Sequence, residues 1–341
     1  MRLRRSTVGG PGLRRIRRGR GFCYVSSVEA RRDSVDDPET LGRIEALVIP
    51  PAWKNVWICP YPNGHIQAVG TDAAGRRQYL YHERWQAERS EEKYDRALSL
   101  AKRLPDWRVH LLADLRGRGL GRDRVLALAQ HLIDQGYFRA GGEEYAQENG
   151  SFGLSTLLRD HVRLHQGSVE FDYPAKSGVR RTVSLDDPLV IRAVRSLLRA
   201  KTTTPRLLVY RTSGGWSEVH ADDLNVRFRE LVGEDFSVKD LRTWHGTVLA
   251  AEAFAIAREP TSKTARRREE AAVMRAVAEQ LGNTPAVARR SYVDPRVLTA
   301  YEKGVTIAPA LRRAKRQRTP ETRRETIERA AARMIRRVGR S

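Results

Sequence analysis

Trp53-Lys54-Asn55-Val56-Trp57-Ile58-Cys59 follows Pro50-Pro51 and is rich in aromatic and β-branched residues, a composition that suits a pleated strand. Asn63-Gly64 is a hairpin signal, and His65-Ile66-Gln67-Ala68-Val69 reads as the returning strand. Gly75 marks a further turn. Gln78-Tyr79-Leu80-Tyr81 alternates, which places Tyr79 and Tyr81 on one face of a strand. Residues 43–82 therefore predict a small antiparallel β domain. Beyond about residue 83 the period changes. A polar, helix-prone run covers 84–103 and ends near Pro105. Val125, Leu126, Leu128, Ala129, Leu132 and Ile133 form a helical stripe over 122–135, closed by Gly136. Residues 169–173 and 179–183 flank a turn and read as a hairpin. Helices are expected near 187–200, 221–232, 239–257 and 264–281. Over 322–338, Ile327, Ala330, Ala331, Met334, Ile335 and Val338 share a face that could dock. The class is α+β, a small β domain followed by a mainly helical one, with no internal repeat.

At 341 residues and roughly 150 residues per domain, about two domains are expected. Lys and Arg number 63 against 41 Asp and Glu, a formal charge of +22. Such an excess implies a polyanionic partner, nucleic acid before anionic membrane. The charge is concentrated at the ends: residues 1–20 hold eight Arg and no acid, and residues 311–341 hold twelve Lys or Arg against three Glu. The expected organisation is a basic N-terminal tail (1–20), a β domain (21–88), a mainly helical domain (89–310) and a basic helical tail (311–341).

Several classes drop out. No apolar run is long enough for a transmembrane helix, and the N-terminus lacks the apolar region of a secretory signal. A cytoplasmic setting is expected. Cys23 and Cys59 are the only cysteines, too few for a disulfide framework or a Cys-based zinc site. There is no GxxxxGK[ST] phosphate loop, no HExxH and no DxD pair. Any phosphoryl chemistry is expected without bound metal or nucleotide.

Four stretches stand out: Tyr137-Phe138-Arg139-Ala140-Gly141-Gly142 just past a helix, Phe171-Asp172-Tyr173-Pro174-Ala175-Lys176-Ser177-Gly178 around a hairpin turn, Lys239-Asp240-Leu241-Arg242-Thr243-Trp244-His245 opening a helix, and Gly282-Asn283-Thr284-Pro285 through Arg290-Ser291-Tyr292-Val293-Asp294-Pro295. Singly, each has an ordinary explanation. An Arg past a helix and a Lys in a turn are usually solvated. Asn283 or Thr284 before Pro285 is a good helix N-cap, and Tyr292 is one of eleven tyrosines. Only Arg242, a cation at a helix start, opposes the local dipole.

Taken together and in order, these stretches resemble the type IB DNA topoisomerase family, most closely its short poxvirus-like and bacterial members. Ile49-Pro50-Pro51-Ala52-Trp53, Gly64-His65-Ile66-Gln67-Ala68 and Gly75-Arg76-Arg77-Gln78-Tyr79-Leu80-Tyr81 are similar to the family's N-terminal signatures. Phe138-Arg139-Ala140-Gly141, Lys239-Asp240-Leu241-Arg242-Thr243-Trp244 and Arg290-Ser291-Tyr292-Val293-Asp294-Pro295 are similar to its catalytic ones. The resemblance runs from about Ile44 to Glu302. It implies a C-shaped clamp on double-stranded DNA, no cofactor, and a monomer working at the nucleoid. It implies that Tyr292 is the nucleophile, that Arg139 and Arg242 hold the scissile phosphate, and that Lys176 protonates the leaving 5′-oxygen. Asn283 falls at the family's phosphate-contact position, which is His in viral and nuclear members and Asn in similar bacterial ones. Lys239 is a possible proton relay. Gln78, Tyr79, Tyr81 and Tyr145 match positions that meet DNA.

These residue types suit the reaction. In-line attack on a phosphodiester builds negative charge on the non-bridging oxygens, and a guanidinium can donate two parallel hydrogen bonds to them. Two Arg and an amide could supply the stabilisation that a metal supplies elsewhere. The nearest rival is a tyrosine recombinase, which shares the Arg, Lys, Arg, Tyr plan but usually presents His-x-x-Arg where this chain has Lys239-x-x-Arg242. The rival from another class is a basic DNA-coating protein without catalysis.

Overall fold

The computed structural model describes residues 2–26, 33–143, 146, 150–257 and 260–339. The chain divides into two compact units, Met1–Lys93 and Tyr94–Ser341.

The first unit contains β1 (Leu13–Arg18), β2 (Gly21–Ser26), α1 (Pro38–Ala46), β3 (Lys54–Ile58), β4 (Ile66–Thr71), β5 (Arg77–Tyr81) and the start of α2 (Glu83–Leu100). The strands form one antiparallel sheet in the order β2-β1-β3-β4-β5. The expected strands are β3, β4 and β5. Leu13, Ile44, Val56, Ile58 and Ala68 pack one face; Trp57, Cys59 and Val69 form a smaller cluster of their own.

Residues 2–20 are not a free tail. Leu13 pairs with Ile58 and Arg14 with Trp57, so β1 is an inner strand of the sheet. Only Leu13 of its six residues is buried, which is why the charge run hides it. Arg15 donates to the carbonyls of Ile49 (3.2 Å), Pro50 (3.0 Å) and Trp53 (2.7 Å), and its guanidinium lies over the Phe22 ring, 4.2 Å from the centroid.

The second unit begins within α2 and continues through α3 (Leu104–Arg116), α4 (Arg122–Gly136), β6 (Val162–His165), β7 (Ser168–Pro174), β8 (Arg180–Leu185), α5 (Pro188–Arg199), β9 (Val209–Thr212), β10 (Gly215–Glu218), α6 (Ala221–Val232), α7 (Val238–Ile256), α8 (Lys263–Leu281), α9 (Pro285–Ser291), α10 (Pro295–Glu302), α11 (Ala308–Ala314) and α12 (Pro320–Val338). The expected boundary at 88/89 moves to 93/94 because α2 continues unbroken. From residue 94 on, its side chains bond into the helical unit: the Tyr94 hydroxyl donates to the Arg290 carbonyl (3.3 Å), and Arg96 donates to Asp240 (2.9 Å).

Helices α4 and α7 are buried on nearly all sides, the mark of central core helices. Residues 311–339 likewise are not a separate tail. Ala330, Ala331, Ala332, Met334 and Ile335 of α12 are buried in the same core as α4 and α7. The Arg-rich outer face of this helix raised its charge, while its small apolar stripe decides its placement.

The centre of this unit is ionic. Asp134 on α4, completely buried, accepts from Arg108 Nε (2.9 Å), from Arg324 Nη1 (2.9 Å) and Nη2 (2.7 Å), and from His245 Nε2 (3.0 Å). Glu328 accepts from Arg108 at 2.8 Å and from Arg324 at 3.1 Å. Burial alone would raise the pKa of Asp134, but the Arg324 and Arg108 guanidiniums outweigh it and hold the carboxyl well below the usual range. This network ties α3, α4, α7 and α12 together.

Candidate active site

At the end of α4 the chain turns through Tyr137, which adopts a left-handed backbone (φ 52°), a conformation costly for a non-glycine residue. The sequence suggested that Gly136 would close this helix; the left-handed residue is its neighbour. Tyr137 is held there by an edge-on contact with His245 (ring centroids 5.0 Å apart) and by Arg242 Nη1, which donates to its carbonyl at 2.8 Å. The turn delivers Phe138 into the core and Arg139 to the site.

Arg242, one turn into α7, is buried, and its Nη2 donates to the carbonyl of Leu281 at the end of α8. Asn283 follows Gly282, the left-handed cap of α8 (φ 59°). Arg139 Nη2 donates to the Gly282 carbonyl at 2.8 Å and to Asn283 Oδ1. Thr284 then caps α9, so the expected cap at 283–284 belongs to Thr284 and leaves the Asn283 amide to the site. Tyr292 ends α9, its N–H donating to Ala288 O at 3.0 Å. Thr247 Oγ1 donates to the Tyr292 carbonyl (3.1 Å) and accepts from the Asp294 N–H (3.1 Å). Gly246 permits this approach: a Cβ there would meet Tyr292 Cβ and O at 2.8 Å. The Arg242 guanidinium carbon lies 5.2 Å from the centroid of the Tyr292 ring.

Two clefts share this site. One, of about 530 Å³, is lined by Arg139, Lys176, Lys239, Arg242 and Tyr292 among others. The other, of about 500 Å³, is lined by Arg139, Lys176, Arg181, Asn283 and Tyr292 among others. Lys176 is exposed in a short helical turn between β7 and β8, as the hairpin reading expected. Lys239 is exposed in the first turn of α7. All six residues proposed for catalysis or proton relay, scattered over 154 positions from 139 to 292, are thus brought to one place.

The site is a cage of unneutralised cations. Burial lowers the pKa of Arg139 and Arg181. Burial first, and the Arg139 charge second, push Arg242 down to about 10. Among the described residues no carboxylate pairs with any of the three; their electrostatic neighbours are one another and the Tyr173 and Tyr292 rings. Nε of Arg242, Nε and Nη1 of Arg181, and Nδ2 of Asn283 are buried without a hydrogen-bond partner. Buried donors and charges left so are costly, and an anion bound among them would relieve that cost. Among the described residues, no cluster of three or more His, Cys, Asp or Glu is arranged to hold a metal.

Residues 82–318 match the family described as the catalytic core of eukaryotic DNA topoisomerase I, and residues 21–72 match the N-terminal domain of bacterial DNA topoisomerase IB. The chain is 31% identical over 299 residues to DNA topoisomerase 1B of Acanthamoeba polyphaga mimivirus, covering 85% of this chain and 88% of that protein. The chain belongs to the type IB DNA topoisomerase family. DNA topoisomerase 1 alpha of Arabidopsis thaliana is also similar, 25% identical over 163 residues, 47% of this chain and 17% of that one. This topoisomerase therefore acts on DNA, and its basic excess has its expected partner. No described helix is long and apolar enough to cross a membrane.

The DNA-contact residues expected from the resemblance fare unevenly. Tyr79 and Tyr81 are exposed together on β5, their rings stacked at 5.9 Å. Gln78 alternates to the opposite face and donates to Asp72 at 2.9 Å, so it is not grouped with them. Tyr145 lies outside the described residues. Arg181 was missed, because a second arginine in Val179-Arg180-Arg181-Thr182-Val183 carries no local sign of what it meets.

The orphaned Asn283 amide makes a separate prediction. Asn283→Ala, removing one donor from the cage, is expected to slow single-turnover DNA cleavage about 10- to 100-fold while leaving the melting temperature almost unchanged. Wild-type cleavage in this variant would remove Asn283 from the site.

Proposed function

We propose that this topoisomerase relaxes supercoils of both signs through a transient 3′-phosphotyrosine at Tyr292, without nucleotide or metal. The phosphate of one strand sits among Arg139, Arg242 and Asn283, whose donors take up the charge that builds on the non-bridging oxygens. Tyr292 Oη attacks phosphorus in line. The Oη–P bond forms as the P–O5′ bond breaks; the phenol proton passes to solvent and a proton from the Lys176 ammonium passes to O5′. Lys239 stands as a possible relay that reprotonates Lys176. The freed 5′-hydroxyl end rotates about the intact strand, driven by torsional strain. The 5′-oxygen then attacks the phosphotyrosine, Tyr292 departs, and the strand is restored. One phosphoester is exchanged for another, so no fuel is consumed.

The observation that supports this reading best is the convergence of Tyr292, Lys176 and two uncompensated guanidiniums on shared clefts. Around it we place the clamp on the duplex, with Tyr79 and Tyr81 as contacts from the first unit, a monomeric enzyme, and a place on the nucleoid in the cytoplasm. Phosphate contacts of this kind make affinity fall steeply with salt.

The test is relaxation of a plain negatively or positively supercoiled plasmid in excess EDTA without nucleotide. Full relaxation at the rate seen without chelator is expected. Dependence on added divalent metal would overturn the reading, and a requirement for paired target sites would point to a recombinase instead.

A further inference from the structure

Arg181 lies on β8, five residues beyond Lys176 and paired with Tyr173 across the hairpin. Its Nη2 donates to the carbonyl of Gly136 at 2.8 Å and to that of Gln280 at 3.1 Å. Gly136 ends α4, three residues before Arg139, and Gln280 lies at the end of α8, three residues before Asn283. Helix C-termini present unpaired carbonyls and the negative end of the dipole, so one guanidinium joins two such ends to the hairpin. The fit is close. A Cβ on Gly282 would come within 2.6 Å of Arg181 Nη1. The Arg181 guanidinium carbon also lies 5.9 Å from the centroid of the Phe138 ring.

A cation is otherwise poorly placed here, since burial disfavours it, against a smaller opposing effect of Tyr173, and the Arg139 charge adds to the burial. A neutral side chain would avoid that cost, and a salt bridge would offset it; among the described residues neither is present. What the position does provide is a cross-brace between the hairpin that carries Lys176 and the two helix ends that carry Arg139 and Asn283. A hairpin turn is a flexible element, and a displacement of about 1 Å at a reacting group can cost on the order of 100-fold in rate.

We propose that Arg181 is a positioning residue for the cleavage reaction, holding the Lys176 hairpin in register with the phosphate cage. The proposal rests on the reading of Lys176 as the general acid. It predicts that losing Arg181 chiefly impairs protonation of the leaving 5′-oxygen.

The full-length chain is tested in single-turnover cleavage on two duplexes, identical except that the 5′-bridging oxygen at a mapped cleavage site is replaced by sulfur in one. A thiol has a pKa of about 8.5, far below that of an alcohol, so the sulfur leaves without a proton. Arg181→Met is expected to slow cleavage of the oxygen duplex about 30-fold and of the sulfur duplex by less than about threefold. Arg181→Lys, which keeps a donor for the carbonyls, is expected to fold normally and fall between Met and wild type on the oxygen duplex. Equal slowing of Arg181→Met on both duplexes, or wild-type cleavage of both, would overturn the proposal. Lys176→Ala serves as reference. If sulfur rescues Lys176→Ala but not Arg181→Met, the proposal fails alone; if sulfur fails to rescue Lys176→Ala, the acid role fails and the proposal with it.

Discussion

Tyr292→Phe is expected to abolish supercoil relaxation and the covalent DNA adduct, with a loss of at least roughly 10⁴-fold in cleavage, while duplex affinity stays within about twofold. The separation follows from what the phenol oxygen does and does not hold. The segment is fixed by backbone bonds, Tyr292 N–H to Ala288 O and Thr247 Oγ1 to Tyr292 O, and Phe keeps both. The ring keeps its place 5.2 Å from the Arg242 guanidinium. No packing is lost, so stability should change by less than about 0.5 kcal/mol. Phe removes the phenol's hydrogen bond with Arg242 but leaves the donors of Arg139, Arg242 and Asn283 in place, so the DNA is expected still to bind. A plasmid relaxation assay, a filter-binding titration and a melting curve check the three parts. Retained relaxation in this variant would place the nucleophile at another residue.

Asp134→Asn has the largest expected effect on stability, about 3–5 kcal/mol, read by urea denaturation of the full chain. The amide keeps the volume but removes the charge that neutralises Arg108 and Arg324 in the interior. Glu328 alone then faces both guanidiniums, and an NH₂ replaces an acceptor that took bonds from three side chains. Activity is expected to fall too, because His245 braces Tyr137, and the carbonyl of Tyr137 holds Arg242. Arg324→Met in the same chain should restore part of the lost stability by removing an unpaired cation. A pH series gives the sign. The carboxyl pKa is depressed on folding, so its contribution is fully present above the unfolded value of about 4. That contribution is lost as pH falls through the folded value. An Asn variant as stable as wild type at neutral pH would show that the buried ions add little to the stability of the unit.

The contrast between these two residues shows what was legible in the sequence. Tyr292 became the candidate nucleophile because its neighbours, Arg290-Ser291-Tyr292-Val293-Asp294-Pro295, resemble a family signature. Arg139, Lys176, Arg242 and Asn283 sit beside element ends that local patterns mark, a helix stripe, a hairpin turn, a cap, but each alone had an ordinary explanation, and only the ordered resemblance to the family made them candidates. Asp134 could not be located. It lies within an apolar helical stripe, and its partners are 26, 111 and 190 residues away. Arg181 was opaque for the same reason, since its value lies in carbonyls 45 and 99 residues distant. Strands β3 to β5 announced themselves by alternation and by Asn63-Gly64. Strand β1 did not, because a strand whose side chains are mostly exposed arginines is defined by its backbone ladder rather than by apolar residues. The unit boundary inside α2 was similarly invisible: helical periodicity does not change where a helix passes from one core to another.

The central claim is that a single phenol attacks phosphorus within a cage of buried cations. It is tested most directly by stopping relaxation of a labelled supercoiled plasmid with SDS, digesting the protein, and sequencing the peptide left on the DNA. The account predicts one peptide, spanning Arg290-Ser291-Tyr292-Val293, joined through Tyr292 to a 3′-phosphate. A peptide attached through any other residue, or through a 5′-phosphate, would contradict it.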